Sequence, residues 1–326
     1  MIKLVKDTLE DIELTRAYNQ QLVVLAKENP KIVDVEADVG NCIFGPDFQK
    51  VFPDRYINIG ICEQSLSSIS AGMSAVGLIP FCHTFAVFAS RRMCDQNYIS
   101  CAYAKNNVKI IASAPGISSG ENGGTHHANE DIALVRPITD IVIMEPADST
   151  AMRWAVKTAA ENFGVYYIRA ERLKGNRLYE DDSGFAIGKA NVLRGGSDVT
   201  LIAEGSLMVG TCLKAAELLQ KRGISARVVD IFTIKPIDVD TVVQCARETG
   251  AIVTAENHSI TGGLGSAVSE VLCDSFCAVP VKRIGIPNRF GEVGQPAELQ
   301  AVMHMTDQDI AKAAEKVIAG KKQDEK

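Results

Sequence analysis

Several short segments of the sequence combine residue types that could do chemistry. The first reads Gly-Ile-Cys-Glu-Gln at positions 60–64 and places the carboxylate of Glu63 directly after an apolar run. In open α/β sheets, ligands bind at the carboxyl ends of the strands, so Glu63 is a candidate acid or base. An acid at a helix N-terminus is also favoured by the helix dipole, and that structural role explains Glu63 taken alone at least as well.

The other segments carry aromatic, polar and cationic side chains. Phe85 and Phe88 could stack on a flat ligand, although such pairs also belong to ordinary cores. Residues 116–127 are glycine-rich and polar, which fits a functional loop or a flexible surface loop. Arg169 and Arg172 follow another apolar run, where they suit a carboxylate or phosphate ligand or a structural ion pair.

The elements that must position these segments alternate between short apolar runs and helical stretches. This alternation predicts parallel sheets covered on both faces, in two doubly wound α/β domains. Strands are predicted near residues 31–36, 56–61, 78–81, 108–112, 141–144, 165–168, 199–203, 226–231, 251–255 and 281–285. Helices are predicted near residues 12–28, 64–76, 86–104, 149–161, 208–222, 238–249 and 265–273.

A polar, turn-rich stretch at residues 172–188 interrupts the alternation and predicts a linker. We therefore expect a first domain over residues 1–180 and a second over residues 190–322. A length of 326 residues suits two domains of this size.

Composition narrows the functional classes. Apolar residues make up 46% and charged residues 23%, which is ordinary for a globular protein, and the net charge of −6 argues against binding to nucleic acid or anionic membranes. No apolar stretch approaches the ~20 residues that a membrane span needs. The nine cysteines show no Cys-x-x-Cys spacing, so we expect reduced thiols, no metal site and a cytoplasmic location.

Together and in this order, the segments resemble the pyrimidine-binding half of transketolases. Residues 52–64 are similar to the family's strand leading to its activating glutamate, residues 80–88 to its pyrimidine-stacking segment, and residues 120–126 to its Gly-Glu-Asp-Gly-Pro-Thr-His loop. Residues 232–238 and 262–268 resemble the family's C-terminal domain. The resemblance implies a thiamine diphosphate pyrimidine-binding domain followed by a transketolase C-terminal domain.

The resemblance also assigns residues to the cofactor. Glu63 matches the catalytic carboxylate that bonds N1′ of the aminopyrimidine and promotes loss of the thiazolium C2 proton. Phe85 and Phe88 match the aromatic side chains that enclose the pyrimidine. Asp38 is a further expected cofactor contact, and Arg91 stands where the family often has a tyrosine.

The same resemblance implies a substrate site for a ketose donor and an aldose acceptor. His126 matches the catalytic loop residue that touches donor hydroxyls, and His83 is expected to face the site. Arg16 and Arg172 align with two arginines that bind sugar phosphates, and Asn122 replaces a loop aspartate.

Two further positions depart from the family pattern. A serine and a histidine that complete the phosphate site correspond to Cys42 and Ala114. We therefore expect a transketolase that transfers a two-carbon ketol unit with altered or relaxed substrate preference.

The sequence contains no Gly-Asp-Gly, the motif with which transketolases bind the diphosphate and its Mg²⁺ or Ca²⁺. The resemblance therefore implies an N-terminal partner subunit that holds the metal, in an α₂β₂ heterotetramer. Three alternatives remain: the β subunit of a thiamine-dependent 2-oxo acid dehydrogenase, a 1-deoxyxylulose 5-phosphate synthase-like enzyme, and a non-catalytic subunit that kept the fold.

Overall fold

Two sheets of mainly parallel strands organise the chain, and each sheet packs against apolar clusters on both faces. The structure is a computed structural model that describes residues 2–324, apart from the side chains at positions 6, 7, 41, 42 and 322–324. The side chain of Cys42, which the sequence analysis aligned with a serine of the phosphate site, therefore lies outside the described residues. The predicted fold class of two α/β domains is confirmed.

The strands follow the apolar runs of the sequence. They are β1 (Leu4–Leu9), β2 (Ile32–Glu36), β3 (Tyr56–Asn58), β4 (Ile79–Phe85), β5 (Lys109–Ser113), β6 (Val142–Met144), β7 (Tyr166–Ala170), β8 (Asn176–Tyr179), β9 (Asn191–Arg194), β10 (Val199–Ala203), β11 (Ala226–Asp230), β12 (Thr233–Lys235), β13 (Ile252–Ser259) and β14 (Val281–Ile286).

The helices connect these strands. They are α1 (Leu14–Glu28), α2 (Asp47–Val51), α3 (Glu63–Ala75), α4 (Ala86–Arg91), α5 (Cys94–Gln96), α6 (Asp131–Val135), α7 (Ser149–Glu161), α8 (Gly205–Lys221), α9 (Val239–Thr249), α10 (Leu264–Asp274), α11 (Pro296–Val302) and α12 (Asp307–Asp324). Short 3₁₀ or π-helical turns occupy Gly40–Phe44, Pro53–Arg55, Asn97–Tyr103 and Ile117–Asn122.

The larger sheet has the strand order β12-β6-β7-β5-β4-β2-β3, and only β12 runs antiparallel. Every residue of β2, β5 and β7 is buried, which explains their near-continuous apolar sequences. The smaller sheet has the order β14-β13-β10-β11-β9, with β9 antiparallel at its edge.

The structure divides one predicted helix and adds a strand to the predicted linker. The helix predicted near residues 86–104 is broken after Arg91, and the Asn97 side chain donates a 2.9 Å hydrogen bond to the Ala89 carbonyl instead of leaving that group to the helix. The predicted linker contains β8, which pairs antiparallel with β1 at the start of the chain. The domain boundaries at residues 180 and 190 stay a prediction.

The two sheets are not independent, because β12 lies in the second half of the chain but belongs to the first sheet. Its Thr233 pairs with Met144 of β6. The ammonium group of Lys235 donates hydrogen bonds to the carbonyls of Arg136, at 2.8 Å, and Ile138. The second domain therefore completes the first sheet.

A buried guanidinium lies where the two domains meet. Arg169 of β7 donates hydrogen bonds of 2.9 and 3.1 Å to the Asp131 carboxylate, a further one to Glu145, and one of 3.0 Å to the Asn257 carbonyl of the second domain. Glu204, also in the second half of the chain, lies 3.6 Å from the same guanidinium. All of these side chains are buried.

This cluster contains more carboxylates than cations, so its acids cannot all be charged at once. Glu256 of β13, directly before Asn257, also feels the charge of Arg169. Burial raises the pKa of Glu145 and of Glu256 to about 8, and it raises the pKa of Glu204 well above its usual range. The folded cluster therefore holds protons at neutral pH that the unfolded chain releases.

Replacement of Arg169 by methionine should lower the free energy of unfolding by about 3–5 kcal/mol at pH 8, because it leaves buried carboxylates without their cation. The loss should be smaller at pH 5.5, where the raised pKa values keep those carboxyls protonated. Urea denaturation at both pH values measures it. Arg177→Met is the control, since the Arg177 side chain is partly exposed and forms its ion pair with the exposed Asp181. An equal loss in the two variants would contradict the prediction.

Candidate active site

The candidate site residues gather at one edge of the larger sheet, where its parallel strands end. Asp38 lies just past β2, Glu63 follows β3, and Phe85 ends β4. The glycine-rich segment 116–127 follows β5, and Arg172 follows β7. This is the edge at which open α/β sheets bind ligands.

Glu63 is the first residue of α3, and its side chain is only 5% exposed. Its Oε1 accepts a 2.7 Å hydrogen bond from Nη1 of Arg92. Compensation of the helix dipole does not require burial, since acids in the first turn are effective at the surface. The structure therefore gives Glu63 a setting that the dipole alone does not explain.

Three rings lie together next to Arg92, the hydrogen-bond partner of this carboxylate. The Phe85 and Phe88 rings meet edge to face at 6.0 Å, and the His126 ring packs at 5.2 Å from the first and 5.3 Å from the second. The Arg92 guanidinium lies 3.9 Å from the centre of the Phe88 ring. Arg91, by contrast, turns away to pair with Glu130.

Backbone strain occurs at the same edge. Asp38 and Ala114 have φ angles of +60° and +52°, a region that residues other than glycine seldom adopt. Asp38 accepts a 2.9 Å hydrogen bond from the Asn58 side chain at the end of β3. Strain of this kind is concentrated at functional sites in proteins.

Arg172 is exposed and lines a cavity of about 280 Å³ together with Asn122 and Glu13. Within residues 2–324, no carboxylate forms an ion pair with its guanidinium. A guanidinium without an internal partner is available to an anionic ligand. Of the two arginines at this strand end, Arg169 is thus structural and Arg172 is free.

Arg16 and His83 lie apart from the three rings, around Phe44. Arg16 donates hydrogen bonds to the Phe44 carbonyl, at 2.8 Å, and to Asp47, at 3.1 Å. His83 is buried, with its ring 4.2 Å from that of Phe44 and its Nε2 2.6 Å from Asp34. The structure buries His83 within β4, and its expected role toward the substrate stays a prediction.

The second domain holds the loop that carries His126. The Gly294 amide donates a 3.3 Å hydrogen bond to the Gly120 carbonyl, and the Gln295 side chain donates one of 2.7 Å to Glu121. Gly124 and Gly291 face each other so closely that a Cβ atom on either would collide with the other backbone. The sequence prediction missed this contact, because the two segments are far apart in the chain.

Asn257 of β13 fixes the start of the same loop. Its Oδ1 accepts a 3.0 Å hydrogen bond from the Ile117 amide, and its Nδ2 donates hydrogen bonds to the Pro115 carbonyl, at 3.1 Å, and to Glu171, at 3.0 Å. A side chain of the second domain thus bonds the backbone of Pro115 and Ile117, on either side of Gly116, whose amide donates to the Ala128 carbonyl. A larger cavity of about 820 Å³ opens between residues 124–130 and 286–291.

The residues present fit the aminopyrimidine half of thiamine diphosphate. A buried carboxylate can hydrogen-bond a ring nitrogen, and the Phe85 and Phe88 rings offer flat apolar surfaces. Among the described residues, no group of three or more His, Cys, Asp or Glu side chains could hold a metal ion.

No helix within residues 2–324 is long and apolar enough to cross a membrane.

Comparison with known families agrees with this geometry. The transketolase pyrimidine-binding domain family matches residues 10–176, and the transketolase C-terminal domain family matches residues 188–310. Fold and site together define a thiamine diphosphate enzyme component of the transketolase type. The chain belongs to the transketolase family, with the domain composition of a C-terminal subunit of a split transketolase.

Several relatives are themselves subunits. The 6-deoxy-6-sulfo-D-fructose transketolase subunit of Clostridium sp. (strain MSTE9) is 41% identical over 95% of both chains. An apulose-4-phosphate transketolase subunit of Phocaeicola vulgatus is 36% identical over 93% of this chain and 96% of its own. A solved split gene transketolase, described as an inactive beta4 tetramer, superposes with a TM-score of 0.87 at 43% identity, covering 94% of this chain and 99% of the other.

Replacement of Gly291 by alanine should reduce turnover about tenfold or more, because the new Cβ forces residues 120–127 away from the second domain and moves His126. Steady-state rates and thermal unfolding of the assembled enzyme measure the effect. Gly210→Ala is the control, since a Cβ there meets open space in α8. Unchanged turnover in Gly291→Ala would show that the loop does not need this support.

Proposed function

We propose that this chain supplies the cofactor-activating half of a thiamine diphosphate-dependent transketolase that transfers a two-carbon ketol unit from a ketose to an aldose. One observation carries the proposal: the buried Glu63 carboxylate bonds Arg92, and Arg92 lies over Phe88, whose ring packs with those of Phe85 and His126 at the carboxyl edge of the sheet. The subunit relatives and the family matches support it.

Thiamine diphosphate, when bound, supplies the nucleophilic carbon that accepts the two-carbon unit. The Glu63 carboxylate exchanges a proton with the pyrimidine ring nitrogen, which a carboxyl group does well in a site that excludes water. Phe85 and Phe88 hold the ring and keep water out. His126 has its Nδ1 3.0 Å from the Thr125 hydroxyl, which leaves Nε2 to bond sugar hydroxyls.

The diphosphate and its Mg²⁺ or Ca²⁺ belong, in this proposal, to an N-terminal partner subunit in an α₂β₂ heterotetramer. An apolar surface beside the site supports such an interface. This surface is formed by α3, its two ends and the π-helical turn Asn97–Tyr103 that packs against it. Its exposed side chains include Ile61, Ile69, Val76, Tyr98 and Tyr103. Exposed apolar clusters of this kind mark protein–protein contacts. The free thiols of the described cysteines support the cytoplasmic location.

The substrate proposal is a ketose with a terminal anionic group, bound by Arg172. The free guanidinium and the neighbouring Asn122 in one cavity support it. One relative is named for 6-deoxy-6-sulfo-D-fructose, which carries a sulfonate, and another for apulose 4-phosphate, which carries a phosphate, so both names are consistent with a terminal anionic group. Arg16 pairs with Asp47, and the Ala114 side chain has no group that could donate a hydrogen bond to a phosphate. We therefore expect rates with xylulose 5-phosphate and ribose 5-phosphate below those of ordinary transketolases.

Glu63→Gln should lower turnover of the assembled enzyme at least about 100-fold, because the amide cannot exchange a proton with the pyrimidine. A coupled ketol-transfer assay with the partner subunit measures this, and size-exclusion chromatography reports assembly. Glu217→Gln, on the exposed face of α8, is the control and should have full activity. An active Glu63→Gln enzyme would refute the assignment of Glu63 and favour a non-catalytic subunit.

Arg172→Ala should raise KM for an anionic ketose about tenfold or more, because a charge-assisted hydrogen bond is lost, and should change KM for the uncharged ketose erythrulose little. Initial-rate kinetics with both donors give the two values. Arg153→Ala, which removes an exposed arginine paired with Asp181, is the control. An equal change for both donors would place Arg172 outside the anion site.

A further inference from the structure

Arg92 makes two contacts at once in the candidate site. Its Nη1 donates a 2.7 Å hydrogen bond to Oε1 of Glu63, and its guanidinium lies 3.9 Å from the centre of the Phe88 ring. Arg92 and Phe88 are four residues apart at the end of α4, so they share one face of the helix. Nothing in the sequence prediction singled out Arg92.

These are the two contacts that the proposed function gives to the cofactor ring. A guanidinium and an aminopyrimidine ring are both flat, and each can hydrogen-bond a carboxyl group at its edge and stack its face on an aromatic ring. The two groups therefore cannot bind Glu63 and Phe88 at the same time. A guanidinium also does not give up a proton at neutral pH, so Glu63 cannot exchange one with it.

We propose that Arg92 competes with the aminopyrimidine ring of thiamine diphosphate for Glu63 and Phe88, and thereby weakens cofactor binding until it swings aside. This inference rests on the proposed function. The Arg92 side chain is 48% exposed and can move into solvent. To do so it must break its ion pair with Glu63 and its contact with Phe88. Arg91 does not take its place, because it pairs with Glu130.

The test is the affinity of the assembled two-subunit enzyme for thiamine diphosphate, measured by titration calorimetry in saturating Mg²⁺ without substrate. Arg92→Ala should bind the cofactor about three- to tenfold more tightly, as expected for loss of a partly exposed ion pair and a cation–π contact. Arg92→Gln retains part of the aliphatic side chain and removes the charge. It replaces Arg92→Ala in the experiment if the alanine variant does not assemble. Unchanged or weaker binding in both variants would overturn the inference.

Two comparisons make the result specific. Arg222→Ala removes another partly exposed arginine, paired with Glu315 in the second domain, and should leave the affinity unchanged. In a Glu63→Gln background, Arg92→Ala should change the affinity less, because part of the competition is already gone. An effect of Arg92→Ala that is undiminished in this background would show that it does not act through Glu63.

Failure of this inference can be told from failure of the proposed function. If the wild-type pair of subunits does not bind thiamine diphosphate, the proposed function is wrong. If the wild type binds it and the Arg92 variants bind it no more tightly, only the competition is wrong. The difference between wild type and Arg92→Ala should also decrease at high salt, because the exposed ion pair is screened.

Discussion

The Arg169 guanidinium and the acids around it determine how the two domains sit on each other. Asp131 and Glu145 come from the first domain, while the Asn257 carbonyl and Glu204 come from the second. A buried ion cluster of this kind adds little net stability over an apolar core, but opening it leaves charges without partners. The cluster therefore favours one relative position of the domains over neighbouring ones, and the paired strand β12 reinforces it.

The site depends on that relative position, because its loop lies between the domains. Residues 115–127 form no strand of their own, and they take hydrogen bonds from Asn257, Gly294 and Gln295 of the second domain. Gly124 and Gly291 approach each other so closely that there is no room for a side chain on either residue. The second domain thus supports the loop in which His126 packs against the two phenylalanines.

Much of this was predictable from the sequence, for a definite reason. The buried parallel strands read as apolar runs, so the ten predicted strands appear in the structure with ends that differ by a few residues. Pairings that depend on distant residues were not predictable: β8 needs β1, and β12 needs β6. At the site, residue types made Glu63, Phe85 and Phe88 candidates, and the family resemblance assigned them to the cofactor. That Arg169 is buried and Arg172 is free appears only in the three-dimensional structure.

The contact of Arg92 with Glu63 bears on why a buried carboxylate is tolerated there at all. Burying a carboxylate without a partner is costly. Arg92 is the partner of the buried Glu63, and its own side chain stays about half exposed. The same guanidinium covers Phe88, which otherwise presents an aromatic face to solvent. A side chain that stabilises the site in this way necessarily opposes any ligand that needs the same two groups. Stability of the chain and affinity for the cofactor ring are therefore expected to change in opposite directions at this one position.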